Sequence, residues 1–341
     1  MVTEVAFVVP NSQPLRILIT GAFGNIGSYA AREIASRGHL LRCFDRPSAE
    51  AECFARSLPG NVETAWGDIR DAEAVGQAVR ARDVVLHLAA IIPPLSEEKP
   101  DLSNDVNVGG TRNVIEAVSA QEVPPRLVYV SSIAVFGPTQ HLDPPRRASD
   151  PVQATDHYTS HKIECESRVR ESGLTWAIIR MGAAPPVGTL RSSISSSINP
   201  MMFDVPLTDR IEFIHPADGG LAIANAAESE GIWGKTLLLG GGPRCQLRQG
   251  EFLRAALEAS GIGMLPAEAF ATKPFHTDWL DTTESQALLQ YQRHTLDGYL
   301  RDLVRALGAR RHLARVFRPW IRRAMLRHSP YWIARTEPSR G

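Results

Sequence analysis

The sequence predicts an α/β protein, a doubly wound parallel sheet followed by a smaller C-terminal substrate-binding portion. Short apolar runs alternate with helical patterns through the first half, as in a parallel sheet covered on both faces. The runs are mostly continuous in apolar character, which is how strands buried on both sides read. A glycine-rich turn, "TGAFGNIG", separates the first run from the first helical pattern.

The strand candidates in order are "LRILIT" (15–20), "LLRCFD" (40–45), "VETAWGD" (62–68), "DVVLHLAA" (83–90), "RLVYVSS" (126–132) and "TWAIIR" (175–180), with "KTLLLGGG" (235–242) as a seventh. Helices are expected over 26–37, 72–81, 104–121 and 156–172, and later near 250–260 and 283–308. The Gly-, Pro- and Ser-rich stretch after residue 182 reads as loop with one short helix. The expected layout is a nucleotide-binding domain over 14–182, to which the strand near 235–242 returns. A substrate-binding portion over 183–308 and a basic tail over 309–341 complete it.

Composition narrows the function classes. The 341 residues carry 37 Lys+Arg against 37 Asp+Glu, so net charge gives no support for a nucleic-acid binder. Four scattered cysteines, without paired or zinc-like spacing, fit a reduced cytoplasmic setting and no metal site. The N-terminus lacks the charged start and apolar core of a signal peptide, and no stretch is apolar for long enough to span a bilayer.

Gly21, Gly24 and Gly27 lie between the first strand and the first helix, where glycine allows a tight turn and close approach of backbone to a pyrophosphate. Asp45 follows the second strand at about the spacing of a carboxylate that binds adenosine ribose hydroxyls, which favours NAD over NADP. Arg46 beside it could accommodate a 2′-phosphate. Asp68, in "GDIRD", is placed either to meet the adenine edge or to cap the next helix.

The "TGAFGNIG" spacing together with "YTSHK" (158–162) resembles the short-chain dehydrogenase/reductase superfamily, in particular its extended branch, the NAD-dependent epimerase/dehydratase family. "GDIRD", "LHLAA", "NVGGTRNV", "VYVSSIAVFG" and "FIHPADGG" agree, in the family's order. The resemblance implies a Rossmann-type fold, a small-molecule substrate and a homodimer. It implies that Ser132, Tyr158 and Lys162 are catalytic, with Asn107 a fourth polar group near the nicotinamide. It also implies that the cofactor is held by Gly21, Phe23, Gly24, Asn25, Ile26, Gly27, Asp45, Arg46, Asp68, Ile69, Leu88, Ala89, Ala90, Asn107, Tyr158 and Lys162.

These residue types suit the chemistry. A lysine one helical turn from a tyrosine favours tyrosinate, and tyrosine can then exchange a proton with a hydroxyl or carbonyl while hydride passes to or from the nicotinamide. A serine bound to the same oxygen orients it. The expected activity is interconversion of a secondary alcohol and a ketone. The alternatives are a nucleotide-sugar epimerase with transient oxidation and a cofactor-binding module without catalysis.

Departures from the family sharpen this. Ser132 is followed by Ile133, Ala134 and Val135, not the acid pair of sugar dehydratases. Ala183 stands where such epimerases place an asparagine, and Arg210 sits one position from their diphosphate arginine. His157 and His161 are expected to be solvated, and His215 structural.

Eleven arginines follow from Arg301 onward, against Asp302 and Glu337 alone. Over 309–335 they interleave with Leu, Val, Phe, Trp, Ile and Met. Such a stretch could lie on an anionic membrane surface, or, as is commoner, pack its apolar stripe on the core or on a partner subunit; Pro319 and Pro330 limit any continuous helix.

Overall fold

The computed structural model describes residues 13–187 and 200–332. Seven parallel strands form one sheet in the order β3-β2-β1-β4-β5-β6-β8. They are β1 (Arg16–Thr20), β2 (Leu40–Asp45), β3 (Val62–Trp66), β4 (Val84–His87), β5 (Arg126–Ser132), β6 (Trp176–Met181) and β8 (Thr236–Leu239). A two-stranded antiparallel ribbon pairs β7 (Arg210–Glu212) with β9 (Gln246–Arg248). The order reverses between β1 and β4, so a crevice opens at the carboxyl ends of those two strands.

The sheet is buried on both faces because its central strands alternate between two cores. On one face Ile17, Ile19, Leu41, Leu86, Val128 and Ile179 pack against α1 (Gly27–Ser36) and α8 (Pro216–Glu228). On the other, Leu18, Phe44, Val85, Leu127, Tyr129 and Ile178 meet α3 (Ala72–Val79), α6 (Gly110–Ser119) and α7 (His157–Glu171). Each fully buried aliphatic side chain stabilises the fold by about 1.5–3 kcal/mol. Central β4 is therefore buried at every position, and edge strand β3 at none.

Three expectations need correcting. The helix expected over 104–121 is α5 (Pro100–Asn104), a π turn over Asp105–Gly109, then α6; α4 (Leu95–Glu98) precedes them. The turn widens where the Asn107 side chain is held by Ile91, a tertiary contact without periodicity. The helix expected over 283–308 breaks into α10 (Thr283–Leu289) and α11 (Leu296–Leu307). Gln290 adopts a left-handed conformation (φ 47°), and the Gln286 side chain takes the amides of Tyr291 and Gln292.

Third, α8 and the short α2 (Ala49–Ala55) were not expected. Gly219 and Gly220 lower the helix propensity of α8. They are there for packing, since a Cβ on Gly220 would lie 2.4 Å from the Tyr29 Cβ on α1.

Further on, α9 (Gln249–Ala259) and α11 pack around Phe213, Phe252, Tyr299 and Leu303. The chain ends in α12 (Arg310–Val316) and α13 (Arg318–Leu326), with Pro319 in the first turn of α13, where its missing N–H costs nothing. Ile321 and Met325 of α13 bury against Phe203, Leu257 and Phe270. Met202 and Phe203, in the loop stretch after residue 182, are packing residues of this cluster; residues 195–199 of that stretch lie outside the described residues. No helix among the described residues is long and apolar enough to cross a membrane.

Candidate functional site

The crevice at the switch point is floored by the three glycines, and each has its own reason. Gly21 has φ +68°, and a Cβ there would meet the Ala89 amide nitrogen at 2.8 Å. A Cβ on Gly27 would sit 2.2 Å from the Gly21 carbonyl oxygen. Gly24 is different. Its nearest neighbour would be the Gly21 oxygen at 3.4 Å, so nothing within the chain forbids a side chain there. The space over Gly24 is what backbone approach to a pyrophosphate requires.

A cleft of about 260 Å³ is lined by Gly21, Gly24, Asp45, Arg46, Asp68, Ile69, Leu88, Ala89, Ala90 and Ile91, among others. Asp45 ends β2 and accepts from the Phe23 amide at 2.9 Å, tying the strand end to the glycine turn. Its other oxygen takes the Arg46 amide at 2.8 Å. The Arg70 guanidinium bonded to Asp68 holds that carboxyl below its usual range. Asn25 donates to the Ala184 carbonyl at 2.9 Å, linking the glycine turn to the segment after β6. A larger hollow of about 520 Å³ lies outside Asp68, lined by Arg70, Asp71, Asp105 and Arg112, and holds neither the glycines nor the serine–tyrosine–lysine set.

Beneath the switch point sits a residue that the sequence reasoning did not single out, His87. It is fully buried and held neutral, its pKa pushed down to about 3 by burial and the nearby Lys162 charge. Thr111 Oγ1 donates to the Asn107 carbonyl (2.6 Å), so it accepts from His87 Nε2 (3.0 Å). His87 Nδ1 then accepts from Thr20 Oγ1 (2.7 Å), and Thr20 Oγ1 takes the Ala89 amide (3.4 Å). This chain fixes one tautomer and pins the turn after β4 to β1 and α6. A polar residue inside the apolar run "VVLHL" was the available signal.

Ser132 ends β5 and caps the following 3-10 turn through the Ala134 amide. Tyr158 and Lys162 lie one turn apart on α7, whose start is fixed by a capping box of Asp156 and Thr159. The Ser132 hydroxyl acts to lower the Tyr158 pKa. The Lys162 ammonium is 5.8 Å from the Tyr158 ring centroid, 4.9 Å from that of Tyr129, and donates to the Val130 carbonyl at 2.7 Å. All three side chains thus meet at the carboxyl end of β5. Burial raises Tyr158 to about 12, against the lowering effect of Ser132, and brings Lys162 down to about 8.

The Lys162 shift gives a stability prediction. Between about 8 and its ordinary value the unfolded chain holds the lysine proton and the folded chain does not, so folding gains stability as pH rises. The stability difference between the wild type and Lys162→Met should therefore shift towards the wild type by on the order of 2–3 kcal/mol from pH ~7.5 to ~10. Urea unfolding at a series of pH values checks this, and a flat difference would contradict it.

Asn107 behaves differently from the other three. Its amide oxygen accepts from the Ile91 amide (2.7 Å) and its amide nitrogen donates to the Ile91 carbonyl (2.9 Å), so the side chain braces the cleft wall. Glu97, also not singled out, takes the amides of His157 (3.1 Å) and Tyr158 (3.0 Å) at the start of α7. Contrary to expectation, His161 is buried, while His157 is exposed. Arg210 is bonded to the buried Asp278 at 2.6 Å.

His215 caps α8, its Nδ1 accepting from the Ala217 amide, and stacks on His294 with ring centroids 4.1 Å apart. With Asp302 these side chains form a cluster of the right size for a cation. A metal on His215 Nε2 would leave that imidazole no nitrogen to protonate, since Nδ1 already accepts.

The strand order and the glycine turn define a Rossmann-type α/β protein. Residues 17–183 match the model of the NAD dependent epimerase/dehydratase family. Human 3 beta-hydroxysteroid dehydrogenase type 7 is 32% identical over 165 residues, 47% of this chain and 44% of that one. The 3 beta-hydroxysteroid dehydrogenase/Delta 5-->4-isomerase of Mycobacterium tuberculosis is 36% identical over 135 residues, 37% of this chain and 34% of that one. The chain thus spans less than half the length of these two relatives. UDP-glucose-4-epimerase from Stenotrophomonas maltophila, solved with NAD and formylated UDP-arabinopyranose, has the same fold. Its TM-score is 0.70 at 22% identity, over 89% of this chain and 99% of that one.

Proposed function

We propose that the protein is an NAD(P)-dependent oxidoreductase of the extended short-chain type that interconverts a secondary alcohol and a ketone. The observation that carries this is the placement of Tyr158 and Lys162 one turn apart on α7, with the Lys162 ammonium 5.8 Å from the Tyr158 ring, beside Ser132 at the carboxyl end of β5. Bound NAD supplies the hydride acceptor, or its reduced form the donor. Tyr158 gives its Oη proton to a carbonyl or takes one from a hydroxyl, and Ser132 orients the same oxygen. With Tyr158 raised to about 12 in the ligand-free chain, it is a proton donor at neutral pH, poised for reduction. Lys162 supplies the positive charge that favours tyrosinate in the opposite direction. Asn107 acts through Ile91, as a positioning residue.

The Asp45 carboxylate at the end of β2 favours NAD over NADP, because it repels a 2′-phosphate. Two features favour an apolar alcohol over a nucleotide sugar. Arg210 is committed to Asp278, and Ala183 brings no amide to a diphosphate. The two hydroxysteroid dehydrogenases among the relatives accord with that choice.

A panel of secondary alcohols, ketones, 3β-hydroxysteroids and nucleotide sugars, followed by nicotinamide absorbance with NAD and NADP, tests the reading. Net accumulation of reduced cofactor with an alcohol supports it. Interconversion of sugar epimers without net reduction would establish the epimerase instead.

The glycines give a separate check on the cofactor. Gly24→Ala should leave the melting temperature within a few degrees and weaken NAD binding by about tenfold or more, since the new methyl occupies only ligand space. Gly27→Ala should unfold the domain, because its methyl collides with the Gly21 carbonyl. Calorimetric titration and melting curves of both variants decide; equal NAD affinity in Gly24→Ala would remove the pyrophosphate from this turn.

A further inference from the structure

The helices α12 and α13 carry two apolar faces, and only one is used. The inner one, with Ile321 and Met325, holds the pair on the substrate-binding portion, and Ser329 anchors its end by donating to the Ala269 carbonyl at 2.6 Å. The outer one carries Leu313, Val316, Phe317 and Trp320, which are 60%, 68%, 51% and 68% exposed. Leu313 and Val316 lie on α12, Phe317 is the junction residue and Trp320 stands in the first turn of α13, with backbone bonds from Phe317 to Leu313 and from Ile321 to Phe317 carrying the chain across the junction. Phe317 and Trp320 lie against each other, ring centroids 5.9 Å apart. Isolated exposed apolar residues need no explanation, but a contiguous row that includes a tryptophan marks a contact surface.

Charge says what contacts it. Arg315, Arg318, Arg323 and Arg327 are exposed on the same pair of helices, and no Asp or Glu occurs between Asp302 and Glu337. A second copy of this face would set arginine against arginine. A folded partner would need both an apolar trough and acidic groups at fixed positions. An anionic lipid surface satisfies both demands: its acyl boundary takes side chains that stand proud, and its headgroups take the guanidiniums. Tryptophan also favours the membrane–water boundary. We propose that the outer face of α12–α13 docks the protein on an anionic membrane surface, without spanning it.

The test is co-sedimentation of the full chain with vesicles of phosphatidylcholine containing about one third phosphatidylglycerol, against phosphatidylcholine alone. The full chain should pellet with the anionic vesicles, and less so as salt is raised. Arg323→Gln and Arg327→Gln should each weaken binding about fivefold, from roughly 1 kcal/mol per basic residue. Phe317→Ser with Trp320→Ser should abolish binding while the melting curve stays unchanged, because both side chains are exposed. Absence of pelleting by the full chain, or pelleting that survives the double serine variant, overturns the proposal. So does a lipid-free dimer that the double variant converts to monomer, since the face would then be a contact between copies. None of these readings depends on the oxidoreductase activity.

Discussion

Tyr158→Phe is expected to lower turnover of the best alcohol or ketone from the substrate panel by about 10³-fold, the usual contribution of a positioned acid/base group. The hydroxyl group is the only difference between the two side chains, and the ring remains to fill its buried place against Lys162 and Ser132. NAD affinity and melting temperature should therefore change little, so the loss appears in kcat. Ser132→Ala should cost less, because it removes a donor that orients the oxygen and leaves the proton carrier in place. If Tyr158→Phe turns over at the wild-type rate, the proposed proton transfer is wrong, whatever the substrate.

A second large stability effect is expected at a buried ion pair. Glu166 of α7 and Arg180 of β6 are 1% and 3% exposed, and their side chains are joined twice, at 2.9 and 2.8 Å. Arg170 adds a third bond to the same carboxylate and Arg180 also reaches the Ala148 carbonyl. These bonds keep Glu166 ionised, below the ordinary glutamate range, although burial alone would raise it. Arg180→Met removes the main partner and leaves a buried carboxylate with only the half-exposed Arg170. The cost should be about 3–5 kcal/mol. Replacing both residues with apolar ones should recover much of that, because no unpaired charge remains. Urea unfolding of the single and double variants measures both, and a double variant no better than the single would show that packing, not charge, sets the loss.

How much of this was legible in the sequence follows from what each feature depends on. The strands could be read because central burial imposes continuous apolar runs, which need no partner to be identified. Tyr158 and Lys162 could be placed on one face because helical spacing is local. Ser132 came from its position in a run of motifs. His87, Glu97 and the Glu166–Arg180 pair were missed because their partners lie far along the chain or in another element, as Thr20 is to His87 and Tyr158 to Glu97. The π turn at Asn107 was missed for the same reason. The helix α8 was hidden by glycines whose value is contact with α1, which no helix propensity records. The burial of His161 is likewise set by neighbouring elements, because its own helix is polar in composition.

The return of β8 to the sheet bears on how the molecule assembles. The chain leaves the sheet at Met181 and comes back only at Thr236, after building β7 and α8. Until then β6 has an open edge, with Ile178 to Met181 offering unpaired backbone beside apolar side chains. A fragment stopping near residue 183, where the family match ends, would keep that edge exposed and present a template for strand addition by other copies. The cofactor half by motif is thus not a folding unit by topology: the strand that seals it is made last, and expression of the shorter piece would yield aggregate where the longer one yields monodisperse protein.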